Sequence, residues 1–302
     1  MKEFYPEGIR KKDKAGYSLS RLYEALSSKE VLEATALLCD ANHDLTVHLG
    51  CMKGIIPREE GAIGIKDGTT RDIALISRVG KSVSFTVKEI IDNGDEQIAI
   101  LSRREAQEKY LEYFRENVKT GDIFPARVTH IESFGVFCDI GCGAVALLPI
   151  DCISVSRINN PADRFFAGQD IKVALKSVAE DGKITVTFKE LLGTWEENAA
   201  LFEPHQTVSG VVRSVEDYGV FVELSPNLAG LAEPTDVKAG DSVSVYIKSI
   251  IPEKMKVKLI IIDTLNEKYT PEIKYFYKGE HIDRFDYSPE KSKKRIFTDF
   301  SV

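Results

Sequence analysis

Between residues 136 and 140 the side chains alternate in character. Val136, Cys138 and Ile140 fall on one side of an extended strand, and Phe137 and Asp139 on the other. The same phase recurs where Val220, Val222 and Leu224 oppose Phe221 and Glu223, and where Leu45, Val47 and Leu49 oppose Thr46 and His48. Short period-2 segments of this kind, separated by Gly, Asp and Pro turns, predict strands along most of the chain. Two stretches follow the helical period instead. Ser102–Glu105 has the spacing of a capping box, and Ala106, Tyr110, Tyr113 and Phe114 then share one face. A shorter helical segment surrounds Trp195. These aromatics are assigned to packing against neighbouring domains.

The strands come in repeated sets. "GDIFPARVTHIESFGVFCDIGCGAVALLPI" and "QTVSGVVRSVEDYGVFVELSPNLAGLAEP" share an order of strand, aromatic-Gly-Val-Phe, strand, and a small apolar strand ending near proline. Each is followed by an Ala-Gly step and two further strands. A worn copy precedes them, with Leu49-Gly50 matching Ile140-Gly141 and Ile56-Pro57 matching Leu148-Pro149. His43 and Thr46 stand there in place of the aromatics. Three sets of five short strands predict a mostly β chain of three tandem five-stranded barrels joined by short helical linkers. The expected divisions are an N-terminal lead with a short helix (1–29), a degenerate barrel (30–104), a helical linker (105–118), a barrel (119–190), a short helical linker (191–205), a barrel (206–263) and a C-terminal extension (264–302).

Composition narrows the setting. No segment approaches the roughly 20 apolar residues of a membrane helix, and the basic start lacks the apolar stretch of a secretory signal. Five cysteines, scattered and odd in number, point to reduced thiols and a cytoplasmic location. The net charge of −7 argues against nucleic-acid binding driven by bulk charge. Any such function has to rest on local features.

The rings supply one. Because a carboxylate follows each phenylalanine on its face, Phe137 and Phe221 are expected outside their barrels, with Asp139 and Glu223 in solvent. Gly135 and Gly219 are expected to form a bulge or bend that brings Phe134 and Tyr218 onto the same surface. Two rings per barrel suit stacking on unpaired bases, worth roughly 1–3 kcal/mol per base and tolerant of sequence. The alternative is a pair of rings covered by a linker or neighbouring barrel. Candidate cations beside the rings are Lys183 and Lys256 after the last turn of each barrel, Arg127 and His130 on the first strand of the middle barrel, and Arg213 on that of the last.

The Gly-x-x-x-x-[Gly/Ala]-x-Val start, the Phe-Gly-Val-Phe core and the "AGQDIKV" step resemble the S1 RNA-binding domain, an OB-fold barrel family named after the large RNA-binding protein of the bacterial small ribosomal subunit. The resemblance covers 119–190 and 206–263 well and 30–104 loosely. It implies an RNA site made of two aromatics, a histidine after the Gly-Leu strand, and an Asp and Arg at the last turn. The aromatics map to Phe134, Phe137, Tyr218 and Phe221. The histidine position holds Pro149 or Glu233, the aspartate position Ala179 or Pro252, and the arginine position Lys183 or Lys256, which lose the bidentate fork. Glu233 would repel phosphate. The resemblance therefore ranks the middle barrel as the better RNA binder, the last as weaker, and the first as a docking barrel without RNA.

Cys138, Cys142 and Cys152 lack structural zinc spacing, and no hydrolase, phosphate-loop or kinase signature is present, so no metal, cofactor or catalytic residue is expected. The expected function is non-enzymatic binding of single-stranded RNA, messenger in particular, in bacterial translation, with the small ribosomal subunit as a further partner. The alternatives are a protein-docking scaffold with a relict RNA site, and an accessory that presents RNA to a separate nuclease. The tail's "KSKKR" at 291–295 suits an RNA contact or a docking segment, against a default of a solvated extension.

Overall fold

A computed structural model describes residues 4–9, 16–92, 94 and 96–301. Helix α1 (Leu19–Ser28) starts at Ser18, whose hydroxyl accepts from the Arg21 N–H. The first barrel comprises β1 (Leu32–Cys39), β2 (Leu45–His48), β3 (Lys53–Ile56), the short α2 (Ile73–Ile76), β4 (Ser82–Asp92) and β5 (Gln97–Ser102). Helix α3 (Arg103–Asn117) leads into β6 (Ile123–Glu132), β7 (Gly135–Gly141), β8 (Ala144–Pro149), β9 (Asp170–Val178) and β10 (Ile184–Thr187). Helix α4 (Trp195–Ala199) joins these to β11 (Thr207–Glu216), β12 (Gly219–Ser225), β13 (Leu228–Ala232), β14 (Ser242–Ile251) and β15 (Lys256–Thr264).

All three barrels are closed, and in each the strands run first, second, third, fifth, fourth around the circumference. Only the third and fifth strands pair in parallel. This is the OB-fold arrangement. The alternation read from the sequence places the barrel interiors: Leu45, Val47 and Leu49, Val136, Cys138 and Ile140, and Val220, Val222 and Leu224 are all buried. Among the described residues no helix is long and apolar enough to cross a membrane.

Both linkers are held by their caps. The Ser102 hydroxyl accepts the Glu105 N–H at 2.9 Å, while the Glu105 carboxylate accepts from Thr86. Thr194 and Glu197 make a reciprocal capping box at the start of α4. Ala106, Tyr110, Phe114 and Trp195 are buried as packing residues.

The barrels are not three equal beads. The first has a core of its own, built around Leu45, Val47, Phe85 and Leu101. The middle and last barrels share one continuous core, which also takes in Trp195 and, from the tail, Ile282, Phe285, Tyr287 and Phe300. The default of a solvated C-terminal extension is thus overturned. After β15 the chain crosses back to the middle barrel, where Glu280 accepts the Ile123 N–H and Gly121 accepts the Ile282 N–H. It then forms a hairpin of β16 (Arg284–Asp286) and β17 (Phe297–Asp299). Enough apolar residues are spaced through its charged sequence for the tail to bury one side.

Candidate nucleic-acid interface

Each full barrel presents a ring pair. Phe134 and Phe137 meet edge to face with centroids 6.1 Å apart and planes at 88°. Tyr218 and Phe221 repeat the arrangement at 6.1 Å and 87°. The outer ring of each pair is well exposed, 54% for Phe134 and 67% for Tyr218, and Phe137 and Phe221 are half-buried beneath. All four rings lie outside the barrel interiors.

The glycine between the rings works differently from expectation. A Cβ at Gly135 would lie 2.6 Å from the Leu148 carbonyl oxygen, and one at Gly219 2.5 Å from that of Ala232. Both positions need glycine because the next strand's backbone approaches so closely. The register shifts lie across the pairing, at Thr129 in β6 and Arg213 in β11.

Cross-strand pairing carries each platform around the barrel. In the middle barrel the register aligns His130, Phe137, Leu147 and Thr185 in one row over β6, β7, β8 and β10. The same row in the last barrel reads Ser214, Phe221, Leu231 and Lys258. In the first barrel it is Leu38, Thr46, Ile55 and Ile100, with neither ring nor charge. His130 lies nearly parallel to Phe137, at 6.4 Å and 22°, and its Nε2 is 2.7 Å from a Glu132 carboxylate oxygen.

The cations divide. Lys256 begins β15 beside the Tyr218–Phe221 platform and is exposed. Lys183 is fully in solvent but pairs with Asp181 at 2.6 Å. The two strand arginines are committed elsewhere. Arg127 makes a two-pronged contact with Asp170 and donates to the Glu7 carbonyl. Arg213 is buried, 2.5 Å from Glu223 and 3.3 Å from Asp163. Arg213 is thus buried between carboxylates, while Arg127 is partly exposed but engaged by Asp170 and Glu7.

The carboxylates expected in solvent are buried as well, Asp139 at 2% exposure and Glu223 at 0%. They lie outside their barrels, but the outside of one barrel is covered by its neighbour. Asp139 accepts the N–H groups of Glu7, Gly141 and Gly143. Burial and the nearby Glu7 push its pKa up to about 7. Burial also opposes charge on Glu7 itself, but the Arg103 guanidinium, at 2.7 and 2.9 Å, holds that carboxyl below its ordinary value. Glu223 lies between Arg213 and Arg164.

Sequence reasoning missed Lys254, Lys258 and Arg157 as neighbours of the last platform, and Lys294, inside the "KSKKR" it singled out as a candidate RNA contact, joins them. Lys258 follows Lys256 by two residues on one face of β15, a signal the period-2 pattern contains. The others arrive from the preceding turn, the middle barrel and the tail.

Residues 117–189 match the family described as the S1 RNA binding domain. The match falls on the middle barrel. Beyond it, the chain is similar to small ribosomal subunit protein bS1 of Staphylococcus aureus, with 27% identity over 282 residues, 91% of this chain and 69% of that protein. It is also similar to the bS1 homolog of Bacillus subtilis, with 26% identity over 74% of this chain and 59% of that one. Among solved structures, a multidomain protein with nucleic acid binding domains from Streptococcus pneumoniae aligns over 80% of this chain and 75% of its own, with 14% identity and a TM-score of 0.26. The matched segment 117–189 contains Phe134, Phe137, His130 and Lys183, and its row differs from that of the last barrel by His130 in place of Ser214 and Thr185 in place of Lys258.

Proposed function

We propose that the chain binds single-stranded RNA, messenger RNA in particular, by stacking unpaired bases on the Phe134–Phe137 and Tyr218–Phe221 ring pairs, and that it acts in translation. The observation that carries this reading is the second ring pair. An exposed aromatic at one position is ordinary, but two ring pairs with matching centroid distances and plane angles, at the same place in successive barrels, repeat a geometry suited to bases. Stacking does not require a basic protein, which accommodates the acidic total. The likeness to bS1 supports the setting in translation and the small ribosomal subunit as a partner. The first barrel, without rings in its row, is assigned to docking, and the role is one of binding rather than catalysis.

The test is competition between RNA forms. A labelled single-stranded oligoribonucleotide bound by the full chain should be displaced by unlabelled single strand and far less by the same sequence as a duplex, whose bases are stacked within the helix. Equal displacement by both would reject stacking. Co-sedimentation with small subunits in the absence of any RNA binding in solution would favour the docking scaffold.

A further inference from the structure

The last barrel's platform does not stand alone. A groove of about 610 Å³ opens beside Tyr218 and Phe221, and three separate parts of the chain wall it. The outer faces of β13 and β15 form the floor and contribute Lys256 and Lys258, with Lys254 in the turn before them. The middle barrel contributes Arg157, and the tail contributes Lys294. All five cations are exposed. None of them pairs with a carboxylate among the described residues, and no aspartate or glutamate lines the groove.

In a chain of net charge −7, five uncommitted cations around two rings form a local reversal of sign. Charge so placed attracts anions whatever the total. Flat rings and dispersed point charges together match a polymer of bases and phosphates better than an acidic peptide, which offers nothing to stack. In the middle barrel Lys183, the counterpart of Lys256, is paired with Asp181, and Thr185 stands in the row position of Lys258.

The tail is fastened where it meets the groove. The Trp195 N–H donates to the Tyr287 carbonyl at 2.9 Å, and the Tyr287 hydroxyl donates to the Asn227 carbonyl. Tyr287 and Ile296 are joined by a backbone hydrogen bond of 2.9 Å, closing the loop that carries Lys294. Asn227, in the turn between β12 and β13, also accepts the Val155 N–H at 2.9 Å, two residues before Arg157. A single buried residue thus ties together the last barrel, the tail and the loop of the middle barrel.

We infer that the C-terminal tail and the middle barrel's 155–157 loop complete a composite RNA-phosphate groove on the last barrel, making this the chain's main RNA-binding surface. The inference rests on RNA as the ligand of the ring pairs and adds where the backbone runs and which segments hold it. It reverses the ranking that the eroded clamp residues suggested.

The experiment measures affinity of the full chain for a labelled single-stranded oligoribonucleotide across a salt series. Lys294→Ala and Arg157→Ala are each expected to weaken binding several-fold and to lower the slope of log affinity against log salt by about 0.7, the value for one lost single-strand phosphate contact. Lys291→Ala, on the same tail but outside the groove, should leave both unchanged. Because these are exposed side chains, thermal unfolding should match the parent. Parent-like binding by both groove variants, with weakened binding by Tyr218→Ala/Phe221→Ala, would overturn the composite groove and leave base stacking in place. Parent-like binding by the ring variant as well would remove the RNA reading itself. Displacement of the RNA by polyglutamate as readily as by unlabelled RNA would assign the groove to an acidic protein segment and overturn the inference.

Discussion

Arg164 of the middle barrel and Glu223 of the last lie with Nη2 and Oε1 2.7 Å apart, their side chains 1% and 0% exposed. The contact is a charge pair without hydrogen-bond alignment, and burial lowers the Arg164 pKa. Glu223 also holds Arg213, so one carboxylate offsets two guanidiniums at the joint between barrels. The charges that the sequence pattern placed beside a ring are the ones that fix one barrel against the next.

Removing that carboxylate should be costly. Glu223→Ala leaves Arg164 buried without its counter-charge and Arg213 with only Asp163 at 3.3 Å, a change expected to destabilise the chain by about 3–5 kcal/mol. Urea unfolding measures it. A loss below 1 kcal/mol would mean that the joint opens and hydrates both arginines.

Gly219→Ala tests the close strand approach. Its new Cβ would meet the Ala232 carbonyl at 2.5 Å, on a residue whose φ of +152° already disfavours a side chain. Displacing β13 should cost about 1–3 kcal/mol. It should also weaken RNA binding, because Tyr218 and Phe221 flank the glycine. Unfolding and RNA titration of the same variant check both effects.

The strap of tail across the middle barrel should respond to pH. His281 is raised above its ordinary value by hydrogen bonding to Asp122, at 2.6 Å, and to Asp283. A histidine raised on folding stabilises fully below its unfolded pKa and loses that contribution as pH rises through the folded one. The Ile282 amide, which donates to Gly121, should therefore be better protected from hydrogen exchange at pH 6 than at pH 9, after correction for intrinsic rates. In His281→Ala the difference should vanish.

Much of this was legible in the sequence, and the losses have a common cause. Strand phase comes from local alternation, so the interior positions around Val136 and Val220 were readable, as was the exterior placement of Phe137 and Phe221. Asp139 and Glu223 show where local pattern ends. A carboxylate beside a ring does mark the outside of a barrel, but whether that outside meets water depends on packing between barrels. Arg127 and Arg213 are drawn to carboxylates on the neighbouring strands of their own barrels, Asp170 and Glu223, and to Glu7 and Asp163 beyond them, pairings that alternation along one strand does not reveal. The tail's charges hid apolar residues spaced just widely enough to bury one side.

The central claim is that exposed rings hold unpaired bases, and fluorescence anisotropy of a labelled single-stranded oligoribonucleotide measures it most directly. Against the parent chain, Tyr218→Ala/Phe221→Ala should lose about 1–3 kcal/mol of binding free energy per base no longer stacked, while Thr46→Ala in the ringless first barrel should bind like the parent. Undiminished affinity in the ring variant, with its fold intact, would contradict the account.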